Sequence, residues 1–120
     1  MQRLRNLSEL KTWRASLPSE AKLGFVPTMG ALHLGHTSLL QKAVQDCDIA
    51  IASIFVNPLQ FNEGGDFKRY PRTEGEDFQL LKDWGISAVY LPTREDIYPV
   101  GYECRVRPGP GGDLFEGYHR

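Results

Sequence analysis

The stretch "VPTMGALHLGH", Val26 to His36, sets two histidines three residues apart among two glycines, between an apolar run and a helix-like one. A strand that ends in a glycine turn and leads into a helix presents backbone N–H groups and about half a positive charge at the helix N-terminus, which is a seat for an anion. Gly35 has no Cβ, so a phosphate-bearing ligand can approach the backbone there. His33 and His36 supply neutral or cationic N–H donors on either side, suited to charge developing on a phosphate. Metal binding is the weaker alternative: His-x-x-His needs further ligands, and His119 is far away in sequence. The plain alternative is a tight turn carrying two exposed histidines. The strand–turn–helix context favours a ligand site, because open α/β sheets bind at such turns.

The elements that must hold this turn can be read around it. "KLGFVP" is a short apolar run that predicts a strand over Lys22 to Val26. From His36, the positions Leu39, Leu40, Ala43, Val44 and Cys47 share one face, predicting a second helix with that face buried. "DIAIASIFV" is β-branched and nearly continuously apolar, as a parallel strand covered on both faces should be. Upstream, Leu7, Leu10, Trp13 and Leu17 fall at helical spacing, with Asn6 as N-cap, Glu9 three residues on and Pro18 as the stop. Downstream, Asn57 to Arg72 is long and polar, as a binding loop or lid would be. Its Lys68, Arg69 and Arg72 read as solvated charges before they read as phosphate ligands. Thr73 and Glu76 predict a capping box opening a helix with Phe78, Leu81 and Trp84 inward and Gly85 as its end. Glu76 and Asp77 are accounted for by capping and the helix dipole rather than as metal ligands. "SAVYLP" predicts another strand, "TREDIYP" a turn or short helix, and "YECRVRP" an edge strand. Trp13, Phe78 and Trp84 are expected in the core.

The order β-α-β-α-β predicts an α/β layered sheet with right-handed crossovers in a single domain over residues 1–120. The chain is 41% apolar and 24% charged with a formal net charge of −1, so no global field points to nucleic acid or an anionic membrane, and any anion site must be local. The strongly apolar run from Ile49 to Val56 is too short to span a bilayer, and the N-terminal residues lack the apolar segment of a signal peptide. A cytoplasmic chain is expected. Cys47 and Cys104 form no Cys-x-x-Cys or Cys/His cluster, so reduced thiols are expected rather than a disulfide or zinc site.

His33-Leu34-Gly35-His36 resembles the His-x-Gly-His signature of the nucleotidyltransferase superfamily. With "FVNPLQF", "YPRT", "IYP" and "PGP" in order, the chain resembles the pantothenate synthetase (pantoate–β-alanine ligase) family over nearly its whole length. The resemblance implies a Rossmann-like parallel sheet of the nucleotidyltransferase type. It implies that ATP is held by Met29, Gly30, Ala31, Leu32, His33, Leu34, Gly35 and His36, with His33 and His36 on its phosphates and His36 as proton donor. Met29, Asn57 and Gln60 would line the site for pantoate and β-alanine, Mg2+ would accompany ATP, and the protein would be a homodimer. Family members continue with a Gly-Glu-Lys-Asp-like segment, a second glutamine for pantoate and a Lys-Met-Ser-Lys-Ser-like loop, none of which occurs in these 120 residues. The chain is therefore expected to be an N-terminal fragment with a partial ATP/pantoate site, the C-terminal domain being absent. A non-catalytic nucleotide-binding fragment, or another nucleotidyltransferase with the same signature, stays open as an alternative.

Overall fold

The computed structural model describes residues 1–61, 64–106 and 108–110. His119 and the chain from Leu114 to Arg120 therefore lie outside the described residues, as does part of the glycine-proline stretch after Arg107.

Four strands form one parallel sheet: β1 (Gln2–Leu4), β2 (Leu23–Thr28), β3 (Ile49–Ile54) and β4 (Ala88–Tyr90), in the order β1-β4-β3-β2. β2 passes to β3 through helix α2 (Leu34–Asp46), and β3 to β4 through the short helix α3 (Gly64–Arg69) and helix α4 (Glu74–Asp83). Both steps run the same way across the sheet, so right-handed crossovers put α2 and α4 on one face. Helix α1 (Leu7–Ala15) carries the chain back from one edge to the other and so covers the opposite face. Two clusters of side chains reflect this. Val26, Leu40, Ala52, Phe78, Leu81 and Val89 fill one face, while Leu4, Trp13, Ile51, Ala88 and Tyr90 fill the other. The parallel register, Ile51 opposite Ala88 and Ala52 opposite Val89, alternates them correctly between the two faces.

α1 is capped as its sequence predicts, the Asn6 side chain accepting from the Glu9 N–H at 2.9 Å. α4 is not. Thr73 makes no side-chain cap and the expected box with Glu76 does not form; the Thr73 hydroxyl donates instead to Asp77. Gly85, at φ +82°, ends α4 as predicted. Helix α5 (Arg94–Ile97) is closed by a Thr93/Asp96 capping box and accounts for "TREDIYP".

Several expectations need correction. β2 extends beyond Val26 to Thr28, because Pro27 sits in an edge strand where a missing N–H costs no ladder bond. α2 begins at Leu34, two residues before His36. Only Leu40 of its apolar face is fully buried; Leu39 is 55% exposed because the helix overhangs the sheet edge at β2. Asn57 to Arg72 is partly helical, with a 3-10 turn at Pro58–Gln60 and then α3. Residues 102–106 form no strand: the Tyr102 ring meets that of Tyr98 edge-on instead, with ring centroids 5.0 Å apart, and Val106 is exposed. Alternation makes a strand only where a sheet edge is within reach. Trp13 and Phe78 are buried as expected, whereas Trp84, capping α4, is partly exposed. Cys47 and Cys104 are free thiols. Among the described residues, no helix is long and apolar enough to cross a membrane.

Candidate functional site

The C-terminal ends of β2, β3 and β4 open onto a cleft of about 570 Å³ whose lining includes Met29, His36, Phe55, Asn57, Gln60 and Tyr70. A second lobe of about 390 Å³ shares Met29 and Phe55 with it and reaches Gly30 and Asp77. This is where open α/β sheets collect ligands. Met29, His36, Asn57 and Gln60, widely separated in sequence, thus meet on one cleft. His33 is exposed and outside that lining, but its ring leans on His36 with centroids 4.3 Å apart.

β2 hands the chain to this site through Thr28. Its hydroxyl donates to the Ser53 carbonyl of β3 at 2.9 Å and accepts the Gly30 N–H at 3.1 Å, tying the turn to the sheet. Gly30 and Ala31 then both take positive φ, 80° and 50°, and the chain bends towards α2. The buried carboxylate of Asp77 accepts the Ala31 N–H at 2.9 Å and the Leu32 N–H at 2.8 Å.

The two histidines build the start of α2 themselves. His33 is the N-cap, and its Nδ1 accepts from the Gly35 N–H at 3.0 Å. His36 reaches back, its Nδ1 accepting from the His33 N–H at 3.2 Å. An imidazole nitrogen that accepts cannot carry the proton, so both rings are the neutral tautomer with N–H at Nε2. The pKa of His36 agrees: desolvation and the neighbouring His33 lower it below 6.5, against an opposing pull from Asp77. The Gly35 and His36 N–H groups are satisfied within this box, so the anion donors of the turn are the imidazole Nε2–H groups more than these two backbone amides. Gly35 is required for a reason the sequence did not disclose. A Cβ there would lie 2.7 Å from His33 Cε1 and 2.9 Å from His33 Nδ1, so the glycine makes room for the histidine ring.

Across the cleft, Asn57 Oδ1 accepts the Leu59 N–H at 3.0 Å and the Tyr98 hydroxyl at 2.8 Å. Both lone pairs are used, which turns the amide nitrogen of Asn57 into the group available to a ligand. Gln60 is different: its Oε1 is buried and has no hydrogen-bond partner among the described residues. A buried acceptor without a donor is costly unless a ligand supplies one. The Phe61 and Tyr70 rings meet edge-on at 5.9 Å, joining the two ends of the α3 loop beside the cleft. Thr28, Asp77 and Tyr98 are thus the supporting residues that sequence reasoning missed.

Comparison with known proteins follows the same residues. A family model described as pantoate-beta-alanine ligase matches residues 2–120. The pantothenate synthetase of Legionella pneumophila (strain Lens) is 42% identical over 120 residues, 100% of this chain and 48% of that protein. That of Ruegeria sp. (strain TM1040) is 46% identical over 118 residues, covering 98% of this chain and 42% of its own length. The crystal structure of pantoate-beta-alanine ligase from Francisella tularensis, complexed with beta-gamma ATP and beta-alanine, superposes with a TM-score of 0.91 at 41% identity, over 98% of this chain and 46% of that one. Pantothenate synthetase from Thermus thermophilus superposes with a TM-score of 0.84 at 44% identity, over 98% of this chain and 42% of that one. The chain spans less than half the length of these relatives.

Proposed function

The chain belongs to the pantoate-beta-alanine ligase family, and from that premise we propose that it carries the nucleotide half of an ATP-dependent ligase joining pantoate to β-alanine. In this reading a pantoate carboxylate oxygen attacks the α-phosphorus of ATP, the bond to the β-phosphate oxygen breaks, and pyrophosphate leaves. The β-alanine amine then attacks the acyl carbon, the acyl–oxygen bond breaks, and AMP leaves. Adenylation converts an oxygen that leaves poorly into one that leaves as AMP.

The observation that carries the reading is the pair of imidazoles whose Nδ1 atoms are both occupied by backbone N–H groups, leaving Nε2–H as the donor. A neutral donor held in place by its own helix meets a phosphate oxygen without reorganising. Removing such a donor from a charge-developing centre lowers rate by about two to three orders of magnitude. Met29 to His36 hold ATP, with His36, on the cleft wall, donating a hydrogen bond through Nε2–H rather than the proton the family resemblance implied, and His33 beside it. Asn57 offers its amide nitrogen to a pantoate oxygen, while Gln60 Oε1 takes the pantoate hydroxyl or the β-alanine ammonium as its missing donor. The Francisella tularensis relative, complexed with beta-gamma ATP and beta-alanine, supports ATP and β-alanine as ligands of this fold.

Mg2+ belongs to this proposal as the companion of the ATP phosphates, whose charge it shields when bound. Among the described residues no group of three or more His, Cys, Asp or Glu gathers to hold a metal, and both oxygens of Asp77 are engaged by backbone amides. Residues 1–120 act as one ATP/pantoate-binding domain of a cytoplasmic homodimer, and by themselves bind ATP weakly without turnover. Pyrophosphate release assayed with this chain, and with a protein of the relatives' length that begins with it, tests this. Release by the longer protein only when pantoate is present is expected. Release with a phosphate ester in place of pantoate would assign the site to another nucleotidyltransferase, and robust pantothenate formation by the 120-residue chain would refute the half-site reading.

A further inference from the structure

Asp77 is 3% exposed, inside the first turns of α4, and it makes no ion pair among the described residues. A buried carboxylate persists only where donors replace its water. Its donors here are two successive backbone N–H groups, Ala31 to Oδ2 at 2.9 Å and Leu32 to Oδ1 at 2.8 Å, with the Thr73 hydroxyl at 3.2 Å from Oδ1. Successive backbone amides presented at a turn form a concavity that binds anions. Gly30 at φ +80° and Ala31 at φ +50° precede these amides. Positive φ is uncommon for any residue but glycine, and Ala31 holds it where the surroundings dictate it. The carboxylate also packs closely: a Cβ on Gly30 would lie 3.1 Å from Asp77 Oδ2.

We propose that Asp77 is a positioning residue for the histidine pair: an internal anion that fills the amide concavity at Ala31 and Leu32, fixes the positive-φ bend, and thereby places His33 and His36 at the mouth of the cleft. The concavity before α2 is the spot most suited to a phosphate on backbone grounds alone. With Asp77 seated there, an incoming phosphate is directed past it, to the imidazole Nε2–H groups. The link to ATP rests on the function proposed above; the link from Asp77 to the bend and the histidines does not.

The test separates the two. In Asp77→Asn one oxygen remains, so one amide keeps its acceptor and the other faces an NH2 group. Hydrogen exchange at Ala31 and Leu32 is expected to accelerate by roughly tenfold or more, and nitrogen shifts of His33 and His36 should report a mixture of tautomers instead of the Nε2–H form alone. ATP binding by the chain should weaken roughly tenfold to hundredfold. Leu4→Ala, which loosens the core on the other face of the sheet, serves as the control: its histidine tautomers should stay as in the parent. Unchanged loop exchange and tautomers in Asp77→Asn would overturn the inference, as would tautomers equally mixed in Leu4→Ala. A loosened bend with undiminished ATP affinity would overturn the positioning role. If the parent binds no ATP, the function proposed above fails, while exchange and tautomers still judge Asp77. Should Asp77→Asn not fold, scalar couplings through the hydrogen bonds from the Asp77 carboxyl carbon to the Ala31 and Leu32 nitrogens can be measured in the unaltered chain. Their presence supports the inference and their absence overturns it.

Discussion

Gly35→Ala is a substitution whose two effects on stability oppose each other while its effect on the site stands uncompensated. Gly35 is the second residue of α2, where alanine is favoured over glycine by up to about 1 kcal/mol. The new Cβ would stand 2.7 Å from His33 Cε1 and 2.9 Å from Nδ1, so the ring must swing away. Its hydrogen bond from the Gly35 N–H is then lost, and loss of an N-cap costs about 1 kcal/mol. The two terms nearly cancel, and the thermal midpoint should move by no more than about 4 °C. Nucleotide binding has no such compensation. A hydrogen bond to a charged group contributes about 1.5–3 kcal/mol, so displacing His33 should weaken ATP by about tenfold to hundredfold. Calorimetric titration alongside a thermal melt reads both quantities. An ATP affinity within about twofold of the parent would refute the assignment of His33 as a phosphate donor, and a drop in stability beyond about 3 kcal/mol would show that the clash is not absorbed by the ring.

Further expectations follow from the same contacts. Folded His36 has a lowered pKa, so the unfolded chain takes the proton first: the stability contributed by the capping box is complete above about pH 6.5 and is lost as pH falls through the folded value. Melts between about pH 7.5 and about pH 5 should therefore show a slope that His36→Gln diminishes; an identical slope in the variant would contradict the assignment. Tyr98→Phe removes the 2.8 Å donor to Asn57 Oδ1 and should cost about 0.5–1.5 kcal/mol in urea denaturation, with no loss counting against the contact. Leu81 is fully buried between α4 and the sheet, and Leu81→Ala should cost about 2–5 kcal/mol by the same measurement; a loss under about 1 kcal/mol would show that the core closes over the gap.

What could be read in the sequence was what local pattern encodes. α1, with its Asn6 cap, and β3, with its unbroken apolar run, carry their own signals. β1 does not: only Leu4 of its three residues is buried, and the segment is a strand because β4 lies beside it. The polar start Met1 to Asn6 thus showed neither alternation nor an apolar run. α2 looked more deeply buried than it is because amphipathic spacing cannot tell a helix over a sheet's middle from one overhanging its edge. At the site, His33 and His36 were legible from their spacing and context, and the cleft gathers His36 with Met29, Asn57 and Gln60. The hydrogen bonding was not. In a sequence reading Thr73 and Glu76 satisfied the capping pattern, and Asp77 passed as a dipole-compensating carboxylate in the same turn. Its real partners, Ala31 and Leu32, lie about 45 residues away in sequence, and only the crossover from β3 through α4 brings them together.

If the two histidines form a phosphate seat, their Nε2–H groups should respond directly as ATP is added to the chain. Proton–nitrogen correlation spectra should show both imidazoles and the amides from Met29 to His36 shifting together, with the Nε2–H tautomer retained. No shift at millimolar ATP, or shifts centred away from this turn, would contradict the account.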